Sequence, residues 1–134
     1  AVPIEAFAEF YSRNKAVSHL NRGKVTIFGC GMGNPFFSTD TAAVLRGAEI
    51  GADVVLMAKN IDAIYTDDPR KNPDAKKLSE VDYDYILKNH LSAIDTCAAS
   101  FAMDNHMKLH IFGLDDSENI YRVIMGEKIG TIVD

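Results

Sequence analysis

The segment Gly29-Cys30-Gly31-Met32-Gly33-Asn34-Pro35-Phe36-Phe37-Ser38-Thr39-Asp40-Thr41 gathers three glycines, adjacent hydroxyls and one carboxylate. Glycines let backbone N–H groups approach a phosphate, and a helix starting after them adds partial positive charge where those groups point. Asp40 runs against that anion-binding character. A carboxylate beside a phosphate requires a cation between them, a metal ion or a lysine, and that combination suggests magnesium-assisted phosphoryl transfer. The spacing is not the dinucleotide fingerprint, because Asn34 holds the third glycine position after Gly29-x-Gly31, and it is not a P-loop, because no Gly-Lys-Ser/Thr occurs. The same residues also suit a plain turn in which Ser38, Thr39 or Asp40 caps the next helix.

A second stretch, from Ala58 to Pro73, again follows an apolar run. Tyr65 suits stacking on a base, and Lys59, Arg70 and Lys71 suit phosphates; the alternative is a solvated loop whose charges face water. The histidines form no metal set, since His106 and His110 straddle a helix end and a strand. Asp95 and the Asp115-Asp116-Ser117 run have the chemistry of helix caps.

Elements must position these groups. Ile4, Phe7, Ala8 and Tyr11 at i, i+3, i+4, i+7 predict a helix over 4–22, stopped by Gly23. Lys24 to Phe28 reads as a buried strand, and the glycine segment leads into a helix over 39–50 with Gly51 as its stop. A strand over 52–58, a long polar loop over 59–79, helices over 82–89 and 93–105, a strand over 109–112, a last helix ending at Gly126 and a strand over 131–133 complete the order. Strands that alternate with helices and read as apolar runs indicate α/β architecture, with a largely parallel sheet covered on both sides. Ligands then bind beyond the carboxyl ends of the strands, after Phe28, Ala58 and Phe112.

The chain has 134 residues, enough for one domain or a large piece of one, and a formal charge of −5. That charge opposes nucleic-acid binding by a global basic field. Cys30 and Cys97 form no CxxC motif, which fits a reducing, cytoplasmic setting, and no apolar run is long enough to span a bilayer. The start at Ala1-Val2, without Met, is expected of a chain cut from something longer.

Gly31 to Ala43 resembles the Gly-Thr-Gly-Asn-Pro-Phe-Phe-Thr-Thr-Asp-Thr-Ala-Ala segment of the bacterial uridylate kinases, members of the amino-acid-kinase fold. Ala58-Lys59-Asn60, Ile61 to Tyr65 and Asp68-Pro69 are similar to that family's nucleotide loop, and Gly126 to Thr131 to its terminal segment. The resemblance covers essentially the whole chain but only the carboxyl-terminal, ATP-side half or so of a family member, as a three-layer α/β/α sandwich. It implies transfer of the ATP γ-phosphoryl group to UMP with magnesium, giving UDP, in a cytoplasmic homohexamer with GTP and UTP as effectors. Carried over, Met32, Gly33, Asn34, Pro35, Phe36, Phe37, Ser38 and Thr39 hold UMP, foremost through Asn34 and Thr39. Asp40 is the catalytic carboxylate, and Lys59, Asn60, Tyr65 and Asp68 contact ATP, with Tyr65 near the adenine. No protein metal ligand is implied.

Three departures stand out: Met32 replaces a threonine that contacts UMP, Ser38 replaces a threonine, and Ala63 replaces a glycine. The family's glycine-rich loop with its phosphate-binding lysine lies in the half without a counterpart here, so the isolated chain is expected to be weak or inactive. The alternatives are a relative acting on a carboxylate or carbamate, or a non-catalytic nucleotide-sensing module.

Overall fold

The structure is a computed structural model that describes residues 6–134. Its elements in chain order are α1 (Arg13–Leu20), α2 (Thr39–Ile50), β1 (Val55–Lys59), β2 (Ile64–Tyr65), β3 (Lys77–Leu78), β4 (Glu80–Val81), α3 (Tyr83–Lys88), α4 (Thr96–Asp104), β5 (Leu109–Gly113), α5 (Glu118–Ile124) and β6 (Thr131–Val133). The main sheet has the order β1-β5-β6-β4, and β2 pairs with β3 in a separate antiparallel ribbon. β1 runs parallel to β5 from Val55↔Leu109 to Lys59↔Gly113, and β4 runs parallel to β6; β6 is antiparallel to β5. The architecture is mixed α/β with a mostly parallel sheet, as expected.

Strand alternation decides which side chains are buried. Met57, Leu109, Ile111 and Val133 share a core with Val44 of α2, Tyr83 and Ile86 of α3, and Ala98, Ala99 and Ala102 of α4. The alanines let α4 approach closely, and Gly47 does the same for α2: a Cβ there would stand 2.6 Å from Val55 Cγ2. The Tyr83 hydroxyl donates to the Met107 carbonyl at 2.5 Å, and burial raises its pKa. On the opposite face Phe112 is buried, whereas Leu56 and Ala58 of β1 are exposed. Gly130 has φ +79°, and a Cβ there would collide with the Ile111 carbonyl oxygen, so the approach to β6 passes under Phe112 only as glycine.

α2 forms where the sequence places it. Its N-cap Ser38 Oγ accepts the Thr41 N–H at 3.1 Å, and Gly51, at φ 69°, closes its last turn by donating to Ala48. The expected cap chemistry of Asp95 is present, with Oδ1 accepting the Ala98 N–H at 3.0 Å. At α5 the capping acceptor is Asp116, not Ser117.

Two expectations fail at the amino-terminal end. The helix expected over 4–22 spans only Arg13–Leu20, with Ile4 outside the described residues. Phe7 and Phe10 are exposed, and a helix whose apolar face meets nothing gains little from forming. Tyr11 instead leans on α2, with Arg46 stacked 3.8 Å from its ring centroid and its hydroxyl bonded to Glu49. The buried strand expected over 24–28 is neither paired nor buried: Val25 is 95% and Ile27 92% exposed. A strand needs a neighbour to satisfy its backbone, and none of the described strands lies beside this segment.

No helix among the described residues is long and apolar enough to cross a membrane. Both cysteines are free and exposed.

Candidate active site

Asp40 sits in the first turn of α2, where a carboxylate is favoured by the helix dipole. Lys59 ends β1 on the carboxyl side of the sheet. The Lys59 ammonium lies 2.5 Å from Asp40 Oδ2 and donates to the Ala93 carbonyl at 2.7 Å. Asp40 Oδ2 also accepts the Asp95 N–H at 3.4 Å. The two charged side chains remain 17% and 20% exposed, so a ligand can reach them.

Asp95 ties the starts of two helices together. While capping α4, it accepts the hydroxyls of Ser38 and of Thr41, the latter at 3.2 Å to each oxygen. Burial pushes the Asp95 pKa up, but the hydrogen bonds from Ser38, the Ala98 N–H, Thr41 and the Cys97 N–H outweigh it and hold the carboxyl below its usual range.

Two cavities flank this junction. One, about 420 Å³, is lined by Asp40, His90, Leu91, Ser92, Asp95 and Thr96 among others. The other, about 400 Å³, lies between the loop carrying Tyr65, Asp68, Arg70 and Lys71 and the segment from Asn89 to Ala93. His90 to Ser92 therefore form a wall common to both, with His90 held at φ 51°. The loop is ordered by its own side chains: Asp67 accepts the Asp68 N–H and Asn72, and Asp68 accepts the Arg70 N–H. The Tyr65 hydroxyl donates to Asp62 at 3.0 Å, a bond that raises the tyrosine's pKa, and Lys77 pairs with the same carboxylate at 3.0 Å.

A profile of the amino acid kinase family matches residues 7–113. The chain belongs to that family. Its fold superposes on the UMP kinase of Bacillus anthracis with a TM-score of 0.92 and 35% identity, over 99% of this chain and 55% of that one. The UMP kinase of Ureaplasma parvum gives 0.90 and 30%, over 99% and 57%, and the uridylate kinase of Archaeoglobus fulgidus gives 0.65 and 28%, over 75% and 49%. The chain thus spans about half the length of the solved relatives it matches.

Within this family member, the residues expected at the site divide into groups. Asp40 and Lys59 meet directly, and Tyr65 and Asp68 line the adjacent cavity. Asn60 is exposed just beyond β1. Gly33 to Phe37 form an exposed loop, with Gly33 at φ 75° and Phe36 at φ 69°, while Met32 is half-buried. Thr39 lines a different groove, with Phe28, Arg46 and Leu56, on the side of α2 toward the free edge of β1. The Ser38 hydroxyl is committed to α2 and Asp95. Ala63 is fully buried without positive φ, so the glycine replaced there is not needed for conformation.

Sequence reasoning missed the wall formed by His90 to Ser92 and the Ala93 carbonyl that follows it. The Ala93 contact is made by a backbone carbonyl, which leaves no trace in residue type. Asp95 was legible as a cap, but its role in joining α2 to α4 depends on two helices far apart in the chain.

Proposed function

We propose that this chain is the carboxyl-terminal, ATP-side portion of an enzyme that transfers the γ-phosphoryl group of ATP to UMP. The observation that carries the reading is the Asp40–Lys59 pair at the start of α2 and the end of β1, in a chain whose solved relatives include UMP kinases. An ammonium has three N–H donors, and Asp40 and Ala93 take two, leaving one for a phosphate oxygen. Asp40 fixes the direction of that donor, and Lys59 offsets the negative charge that Asp40 would otherwise set against the nucleotide. Positioning and charge dispersal of this kind do most of the work in phosphoryl transfer.

Among the described residues no cluster of three or more His, Cys, Asp or Glu side chains makes a metal cage. This donor set fits magnesium carried mainly by nucleotide phosphates, with Asp40 and Asp95 as the nearby carboxylates. When bound, the ion neutralises phosphate charge. Lys59, Asn60, Tyr65 and Asp68 serve ATP in this reading, and Met32 to Thr39 serve UMP. The homohexamer, the GTP and UTP responses and the cytoplasmic setting belong to the same proposal.

The test is UDP formation from magnesium, ATP and UMP, followed by phosphorus NMR, with glutamate, aspartate and carbamate as competing acceptors. UMP is the expected acceptor, with turnover by the isolated chain far below that of a complete relative. Asp40→Asn should lower the rate on the order of a hundredfold or more. Phosphorylation of a carboxylate or carbamate in place of UMP would overturn the acceptor, and an unchanged rate in the variant would overturn the role of Asp40.

A further inference from the structure

We infer that Asp62 is a positioning residue: together with Lys77 it holds the ring of Tyr65 in one orientation on the wall of the cavity that would take the nucleotide base. The inference rests on the ATP reading of that cavity and is independent of the phosphoryl acceptor.

The β2–β3 ribbon is built as a rigid arm. Ile64 stands opposite Leu78 on it, and Tyr65 stands opposite Lys77. Successive residues of a strand point to opposite faces, so the full burial of Ile64 in the core sends Tyr65 and Lys77 outward together. Thr131, itself fully buried in β6, fastens the inner face: its hydroxyl accepts the Ile64 N–H at 2.8 Å and donates to the Leu78 carbonyl at 2.5 Å. Toward the loop, the Thr66 N–H donates to the Lys76 carbonyl at 2.9 Å, and the Lys76 N–H donates to the Thr66 hydroxyl at 3.0 Å. The backbone under Tyr65 is therefore tied at both ends.

Its side chain is tied as well. The Tyr65 hydroxyl donates to Asp62 Oδ1 at 3.0 Å, and the other carboxylate oxygen takes the Lys77 ammonium at 3.0 Å. Asp62 is seated against the end of β5, where a Cβ on Gly113 would stand 3.1 Å from Asp62 Cα. Burial pushes the Asp62 pKa up, but the hydrogen bonds from Lys77 and Tyr65 outweigh it and hold the carboxyl below its usual range. The Lys77 and Asp62 side chains are 45% and 51% exposed, and an ion pair so exposed contributes little to stability. What this one determines is the direction of the ring it holds. Tyr65 lines the cavity of about 400 Å³ that the segment from Asn89 to Ala93 closes on its other side. A ring free to rotate must be ordered when a base stacks on it, whereas a ring already held loses little. The bracket therefore serves the base and not the phosphates.

The experiment is a double-mutant cycle on the 134-residue chain, with magnesium-ATP affinity read by titration calorimetry and Tyr65 ionisation read by NMR of tyrosine labelled at its phenolic carbon. Asp62→Ala and Tyr65→Phe should each weaken ATP about fivefold, the effect of having to order a released ring, and the double variant should weaken it no further. Adenosine should weaken by the same factor, and magnesium tripolyphosphate not at all. In the parent Tyr65 should ionise above the ordinary tyrosine range, and in Asp62→Ala it should return toward that range. Tyr121→Phe, at an exposed ring of α5, should leave every one of these readings in place. Should Asp62→Ala not fold, Asp62→Ser, one bond shorter than the aspartate, replaces it in the cycle. A parent that binds no ATP, or an ATP affinity that survives Tyr65→Ala, would overturn the nucleotide reading of this cavity and the inference with it. Affinity lost in Tyr65→Ala together with additive losses in the cycle, a weakened tripolyphosphate, or an unshifted Tyr65 would overturn the inference alone.

Discussion

The junction of β1, α2 and α4 and the extended segment 24–28 both lie beside the phosphate-suited loop, and only the first is closed. At the junction Asp40 meets Lys59, nineteen residues on, while Ser38 and Thr41 meet Asp95 across more than fifty residues, 54 in the Thr41–Asp95 contact. Behind them Met57 and Val44 are buried in the core. The segment 24–28 carries Val25, Ile27 and Phe28, yet its valine and isoleucine face solvent. The difference lies in neighbours: β1 has β5 to complete its ladder and helices to cover one face, whereas among the described residues no strand pairs with 24–28 and none of its residues belongs to the core. Apolar composition makes a strand possible, and a partner makes it real.

The largest effects should come from the closed region. Ile111→Ala removes a fully buried side chain from the centre of the core. It should cost roughly 2–5 kcal/mol, read as a lower urea midpoint at unchanged slope. Gly130→Ala should cost about 3 kcal/mol, because it adds backbone strain to the clash with the Ile111 carbonyl. A neutral result at either position would show that the β5–β6 layer is packed differently.

The same contrast explains what was legible in the sequence. α2 was readable at both ends because its determinants are local: Ser38 three residues before the N–H it accepts, and Gly51 in the left-handed conformation that stops the helix. β5 and β6 were readable as apolar runs that find partners. The antiparallel direction of β6 was not, since direction depends on how the chain returns after α5 and leaves no mark on composition. Short β4 was missed because its two residues, Glu80 and Val81, carry no periodicity, and β6 supplies their pairing. The strand over 24–28 failed for the opposite reason: the local signal is present, but none of the described strands pairs with it. At the site, Asp40 and Lys59 were each visible as candidates, but their contact joins residues nineteen apart through the packing of α2 on β1.

Asp95 gives an intermediate effect and a pH signature. Asp95→Ala removes the cap of α4 and the acceptor for Ser38 and Thr41, and should cost roughly 1–2 kcal/mol. Since hydrogen bonds lower the Asp95 pKa in the folded state, the unfolded chain binds the proton more readily. The stabilisation is therefore present above the ordinary carboxylate range and lost as pH falls through the lowered folded value. Denaturant midpoints measured downward from pH 6 should show a steeper acid-side loss in the parent than in Asp95→Asn, which can still cap α4 but has no charge to titrate. Identical acid limbs would mean that the tie between α2 and α4 does not depend on the ionised carboxylate.

The smallest effect is the most discriminating. Ile27→Ala makes the same chemical change as Ile111→Ala, at a side chain 92% exposed instead of fully buried. There is almost no transfer free energy to lose and no cavity to leave, so stability should move by no more than about 0.5 kcal/mol. The two variants differ in the burial and strand pairing of the site and not in the atoms removed, so the ratio of their urea shifts measures how far the open region differs from the closed one. A loss at Ile27 approaching that at Ile111 would mean that 24–28 packs against something within the chain in solution, and the contrast between the two regions would then collapse.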